Sequence, residues 1–222
     1  MRVEKTDRRK TSFFSGIAND LVYDQHALNE FLNNSFIEEN LIKQAAEKKS
    51  SYSSEFREKL KEVLLAQHKS YLHYEKIDRH LQELSNDKTF TVTTGHQLSL
   101  YGGPQYVVYK IIHAIRLSEE LNKKQSEYKF IPVFWLASED HDFEEINHIH
   151  LFNDTLVWES AQKGPVGRFN LRDIDEFRNQ VLHKFENNPS FSAYLNNFYR
   201  NDELSFSEAT RKFLLDLFGE RG

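Results

Sequence analysis

The sequence predicts an α/β protein built on one βαβ crossover between residues 89 and 136, with helices before and after it. Three observations predict that unit. Residues 89–94 are a β-branched and aromatic run that stops at Gly95, the pattern of a buried strand ending in a tight turn. Gly102-Gly103-Pro104 opens a helix, because proline is tolerated where the first-turn N–H has no partner anyway. Val107, Ile111, Ala114, Ile115, Ser118 and Leu121 then recur at helical spacing. Residues 130–136 are almost continuously apolar, which suits a parallel strand covered on both faces. Strand, helix and strand in this order close as a right-handed crossover.

The flanking elements follow in chain order. Residues 1–15 are charged and aperiodic, so they are expected to be loosely held. Two short helices are expected within residues 16–50, where small apolar groups alternate with Asn and Asp. Ser54 is a plausible N-cap, and Phe56, Leu60, Val63, Leu64, Gln67, Tyr71, Tyr74, Asp78 and Leu81 keep a helical period after it. They predict one long helix, or two joined, packed on the α/β core and ending near Asn86. After the crossover, residues 155–159 read as a short strand, and Gly164-Pro165-Val166-Gly167 as a turn or a close approach to another segment. Residues 173–185, 191–199 and 204–218 read as helices with aromatic faces, and Gly219 stands where a helix C-cap belongs. The domain reading is a helical extension over residues 1–88 and the first half of an α/β core, with a helical insertion, over residues 89–222.

Composition narrows the partners. A net charge of -5, from 34 acidic and 29 basic residues, carries no polyanion-binding signature, so nucleic acid is not expected. The absence of cysteine excludes disulfides, thiolate metal sites and a cysteine nucleophile in this chain. No apolar run approaches the roughly 20 residues of a membrane span, and the expected location is the cytoplasm.

The chemistry is expected where two loops leave the carboxyl ends of the two strands, since ligands of an open parallel sheet bind in that crevice. The first loop offers Gly95, Gly102 and Gly103 for close backbone approach, and a helix N-terminus that attracts phosphate or carboxylate. An ordinary strand-to-helix connection explains the same glycines. Lys110 lies two turns into that helix. The second loop, from Glu139 through Asp140, His141, Asp142 and Glu145 to Asn147, concentrates groups that can hold an ammonium, a sugar hydroxyl or a metal, and His141 can move a proton near neutral pH. Acids in a helix's first turn also offset its dipole, which accounts for some of these carboxylates. Asp142, Glu145 and His148 would share one face of a helix, but they match no recognised ligand spacing, and no metal is predicted. Elsewhere, His113 reads as a core histidine, Tyr106 and Tyr109 as packing residues with a polar tip, and His80 as a surface residue.

Thr94-Gly95-His96-Gln97, Tyr101-Gly102-Gly103-Pro104, Tyr109-Lys110, Pro132-Val133-Phe134-Trp135 and the stretch from Glu139 to Asn147 together resemble the bacillithiol biosynthesis cysteine-adding enzymes, the BshC family. The resemblance implies a Rossmann-like core related to class I aminoacyl-tRNA synthetases and pantothenate synthetase. It implies an enzyme joining L-cysteine to the amine of glucosaminyl-malate, with ATP or another activating donor. On that resemblance Gly95, Gln97, Gly102, Gly103, Tyr109 and Lys110 would hold phosphate or substrate. Asp140 and Asp142, with Glu139, Glu145 and Asn147 beside them, would bind the cysteine ammonium or the sugar hydroxyls. His141 would be the base. His96 stands where many members carry Gln, an amide that holds an anion but shuttles no proton. Members are more than twice this length, so the chain is expected to be an N-terminal portion lacking a second phosphate-binding loop and a coiled coil through which the family would homodimerise. The rival readings are a non-catalytic binding fragment and a metal-dependent hydrolase using Asp140, His141, Asp142 and His148.

Overall fold

The structure, a computed structural model, describes residues 4–71, 73–200 and 204–222; residues 1–3 of the charged N-terminal stretch lie outside them. The chain divides into two compact units, Met1–Tyr52 and Ser53–Gly222. The first holds α1 (Gly16–Tyr23) and α2 (Glu38–Lys49), as the spaced apolar groups predict. The Ser15 hydroxyl caps α1 by accepting from the Ala18 N–H, and α2 carries acids in its first turn and lysines in its last.

The second unit opens with α3 (Ser54–His68) and α4 (Glu75–Glu83), two helices rather than one, and the α3 cap is Ser53 rather than Ser54. The expected packing stripe on α3 is only partly right: Phe56 is 66% exposed, and Leu60 and Val63 also face outward. The buried α3 residue is Arg57, whose guanidinium donates to the carbonyl oxygens of Asn86 at 2.9 Å and Thr89 at 2.8 Å. A fork of several N–H donors can satisfy the converging carbonyls at the end of α4, and an apolar side chain cannot. On α4, Ile77 and Leu81 pack with Leu84 against Ile131. His80 is buried there, not on the surface.

The centre is the parallel pair β1 (Thr89–Gln97) and β2 (Lys129–Ala137), joined by α5 (Gln105–Lys124). β1 does not stop at Gly95. It stays paired through Gln97, opposite Ala137, so His96 and Gln97 are strand residues. All six apolar-face residues predicted for α5 are buried. His113, by contrast, is exposed. β2 is not covered on both faces. Thr91, Thr93 and Gly95 register with Ile131, Val133 and Trp135 and share their face; α4 covers Ile131, while Thr91, Thr93 and Trp135 are exposed.

After β2 come a single turn, α6 (Phe143–Ile146), and an antiparallel hairpin of β3 (His148–Leu151) and β4 (Asp154–Val157). Three helices follow: α7 (Asp175–Lys184), α8 (Pro189–Leu195) and α9 (Phe206–Phe218), the last opened by a capping box between Ser205 and Glu208. Their aromatic faces, with Trp158 and one side of α5, form the main core. Gly219 is right-handed at φ -56, so no left-handed cap requires it; an added Cβ would lie 2.9 Å from the Tyr74 ring, which would have to shift to admit it. Among the described residues no helix is long and apolar enough to cross a membrane.

Candidate active site

The carboxyl ends of β1 and β2 finish side by side, and the loop leaving β2 folds back onto β1. Gln97 makes the join. Its amide nitrogen donates one hydrogen to Asp140 Oδ2 at 2.7 Å and the other to Glu145 Oε2 at 3.0 Å, so one neutral group separates two carboxylates. Asp140 Oδ1 accepts from the backbone N–H groups of His141 at 2.6 Å and Asp142 at 3.0 Å, closing a tight turn of the kind Asp favours. These donors hold the Asp140 carboxyl below its usual range, the Asp142 N–H contributing most and the Gln97 amide next. Asp142 in turn caps α6 by accepting from the Glu145 N–H.

The same loop is gripped from its other side. The Val166 N–H donates to Asp140 O at 2.7 Å and the Gly167 N–H to Ser138 O at 2.9 Å. Of the two readings of residues 164–167, a turn or a close approach, this contact is the close approach. A Cβ at Gly167 would lie 2.5 Å from both the Cβ and the carbonyl oxygen of Ser138, so only glycine fits. The sequence did not name the loop after β2 as the segment approached, because the contact is backbone to backbone and residue type records it only through the missing side chain.

Held in this way, the turn presents His141 outward. The residue is exposed, and its imidazole makes no hydrogen bond or ion pair among the described residues. His96 differs: Nδ1 faces the carbonyl oxygen of Gln97 at 3.1 Å, so it carries the proton, and Nε2 accepts from the Tyr106 hydroxyl at 2.8 Å. Tyr106 and Tyr109 are exposed rather than packed, and Tyr109 accepts from Gln105 at 2.7 Å. Lys110 reaches back to donate to the carbonyl oxygen of Gly95, which brings its ammonium to the end of β1.

The three glycines of the first loop answer first to backbone geometry. A Cβ on Gly95 would lie 3.0 Å from Trp135, and Gly102 and Gly103 adopt φ 83 and 59. Ser99 fills the space beside Gly103, and Gly102 lies against Phe213. Tyr101 is left-handed at φ 48, its ring set among Phe177, Tyr199 and Phe213. Burial pushes its hydroxyl up to about 12. Glu139 is exposed beside the loop, whereas Asn147 is engaged elsewhere: its carbonyl oxygen accepts from the Trp158 N–H at 2.7 Å and its side-chain oxygen faces His148. His148 begins β3 and does not continue α6, so Asp142, Glu145 and His148 do not share a helical face. Among the described residues no group of three or more His, Asp and Glu side chains is gathered to hold a metal.

Residues 1–222 match a family model described as "Bacillithiol biosynthesis BshC, N-terminal Rossmann-like domain". The chain belongs to the BshC family. Relatives named "Putative cysteine ligase BshC" include proteins of Flavobacterium psychrophilum, 36% identical over 219 residues, Cytophaga hutchinsonii, 42% over 163, and Flavobacterium johnsoniae, 34% over 218. The matches cover 96%, 73% and 96% of this chain and 41%, 30% and 40% of the relatives, so the chain spans about two fifths of the length of BshC proteins it matches end to end. Within that Rossmann-like domain, Gln97 at the end of β1 joins the parallel pair to Asp140 in the loop after β2.

Proposed function

We propose that this chain supplies the amine-handling side of a ligase that joins L-cysteine, through its carboxyl group, to the amine of glucosaminyl-malate, the last step of bacillithiol formation. The observation that carries the reading is the match of the whole chain to the BshC N-terminal domain. The geometry adds a free, solvent-facing imidazole at the carboxyl ends of two parallel strands, the usual place for a ligand in such sheets. In the proposed step the neutral amine attacks the acyl carbon of an activated cysteine carboxylate. A C–N bond forms, the C–O bond to the leaving group breaks, and the amine proton passes to His141.

Amide formation from a free carboxylate is uphill, and ATP is the donor we propose to supply the activation. Its phosphates would lie at the first turn of α5 and Lys110, because Glu139, Asp140, Asp142, Glu144 and Glu145 make the β2 loop acidic and better suited to an ammonium. Asp142 and Glu139 take the ammonium in this reading. Asp140 is a positioning residue: its oxygens are committed to Gln97 and two backbone N–H groups, and it holds the turn that presents His141. Residues 89–222 would carry these groups and residues 1–88 would be a helical extension. The setting would be the cytoplasm, where ATP and free cysteine occur together.

The test incubates the purified chain with L-cysteine, glucosaminyl-malate and ATP and looks for the product mass, with a full-length BshC relative as control. Product that is lost in His141→Ala supports the reading. No product beside a working control favours a second one, a binding module completed by further chain; the coverage of about two fifths of the relatives motivates it.

A further inference from the structure

Strand alternation puts His148 and His150 on one face of β3, and their rings lie 5.2 Å apart, centroid to centroid, at an interplanar angle of 69°. The Nδ1 atom of each ring already has an oxygen partner. His148 Nδ1 faces Asn147 Oδ1 at 3.1 Å, and His150 Nδ1 faces the Thr155 hydroxyl at 2.9 Å across the His150–Thr155 register pair. An amide oxygen only accepts, so His148 carries its proton on Nδ1, and the Thr155 oxygen can accept in the same way from His150. That tautomer leaves one lone pair on the Nε2 of each ring, and among the described residues neither Nε2 has a hydrogen-bond partner.

We propose that His148 and His150 form a two-imidazole chelate for a borderline divalent transition ion, with water filling the remaining positions. Imidazole ligands without thiolate or carboxylate suit Cu²⁺ best, then Ni²⁺ and Zn²⁺, in the general order of divalent affinities. The hydrogen bonds at Nδ1 are the support that metal-binding histidines ordinarily have: they fix ring orientation and raise the basicity of the ligating nitrogen. The extended backbone of β3 sets the spacing, the hairpin register places Thr155 beside His150, and His150 is exposed, so an ion can approach from solvent. Neither ligating histidine is among the groups assigned to the ligase step.

The test titrates the purified chain with Cu²⁺ at pH 7.5 in a weakly coordinating buffer, read by calorimetry and electron paramagnetic resonance. One equivalent with two-imidazole nitrogen splitting is expected. Affinity should fall at least about 10-fold in His150→Gln, and measurably in Thr155→Val, which removes only the Nδ1 partner. His183→Gln, at an exposed histidine on another element, should bind as the parent does. Circular dichroism and melting of each metal-free variant should match the parent, which separates ligand loss from misfolding. Affinity in His150→Gln that stays within 10-fold of the parent overturns the proposal.

Discussion

Replacing Gly167 with alanine tests whether the close approach of residues 166–167 is what fixes the His141 turn. The added Cβ would stand 2.5 Å from Ser138 Cβ and 2.5 Å from Ser138 O, and the second of these is backbone that no rotamer change can move. The two segments must separate. Overpacking of this kind costs about 1–3 kcal/mol. The two backbone hydrogen bonds at stake, Val166 to Asp140 and Gly167 to Ser138, are worth about 1 kcal/mol each. The expected destabilisation is about 3 kcal/mol, or about 6–12 °C in Tm for a domain of this size. The assay is urea and thermal unfolding followed by circular dichroism, with Gly16→Ala as the control. Nothing lies within 4 Å of a Cβ at Gly16, at the start of α1, so its cost is expected to be nil or slightly negative. A Gly167→Ala protein within about 0.5 kcal/mol of the parent would refute the argument, because surface substitutions that touch nothing fall in that range.

Three further outcomes are expected. Gln97→Ala leaves the Asp140 and Glu145 carboxylates without the amide between them, and product formation by active protein should fall about 100-fold, as misplacement of a catalytic group by about 1 Å can cost; a rate within twofold of the parent would remove Gln97 from the positioning role. Burial, and then Lys76, Lys129 and Arg79 around it, push the His80 imidazole down to about 4 from 6.5. The unfolded chain therefore binds the extra proton first, so this contribution to stability is complete above pH 6.5 and is lost as pH falls toward 4. After allowance for solvent screening it should amount to about 1–2 kcal/mol between pH 7 and 5; an equally steep pH dependence in His80→Leu would rule it out. Tyr199→Phe removes the hydroxyl that donates to Ser99 O at 3.0 Å, and should cost about 1 kcal/mol in urea unfolding with an unchanged m-value.

The sequence by itself determined the parts whose cause is local. The period of α5 and the apolar run of β2 are written in successive residues, because helix and strand periodicity decide which side chains can be buried together. The density of charge from Glu139 to Asn147 directly after a strand also marked that stretch as a candidate site, and the BshC resemblance rested in part on the same residues. The tertiary structure decided how those residues are used. Gln97, which no residue pattern marks as a bridge, donates to two carboxylates that arrive from 43 and 48 residues away. His141 and His96, equivalent as residue types, separate into an unpartnered imidazole and one committed at both nitrogens, because only His96 has Tyr106 within reach across the α5 first turn. His80 and His113 exchanged places between surface and core, and Phe56 on α3 gave its expected burial to Arg57. The physical reason is common to all of these. Burial and hydrogen bonding depend on which distant segments meet, and a residue's own neighbours in sequence do not carry that information.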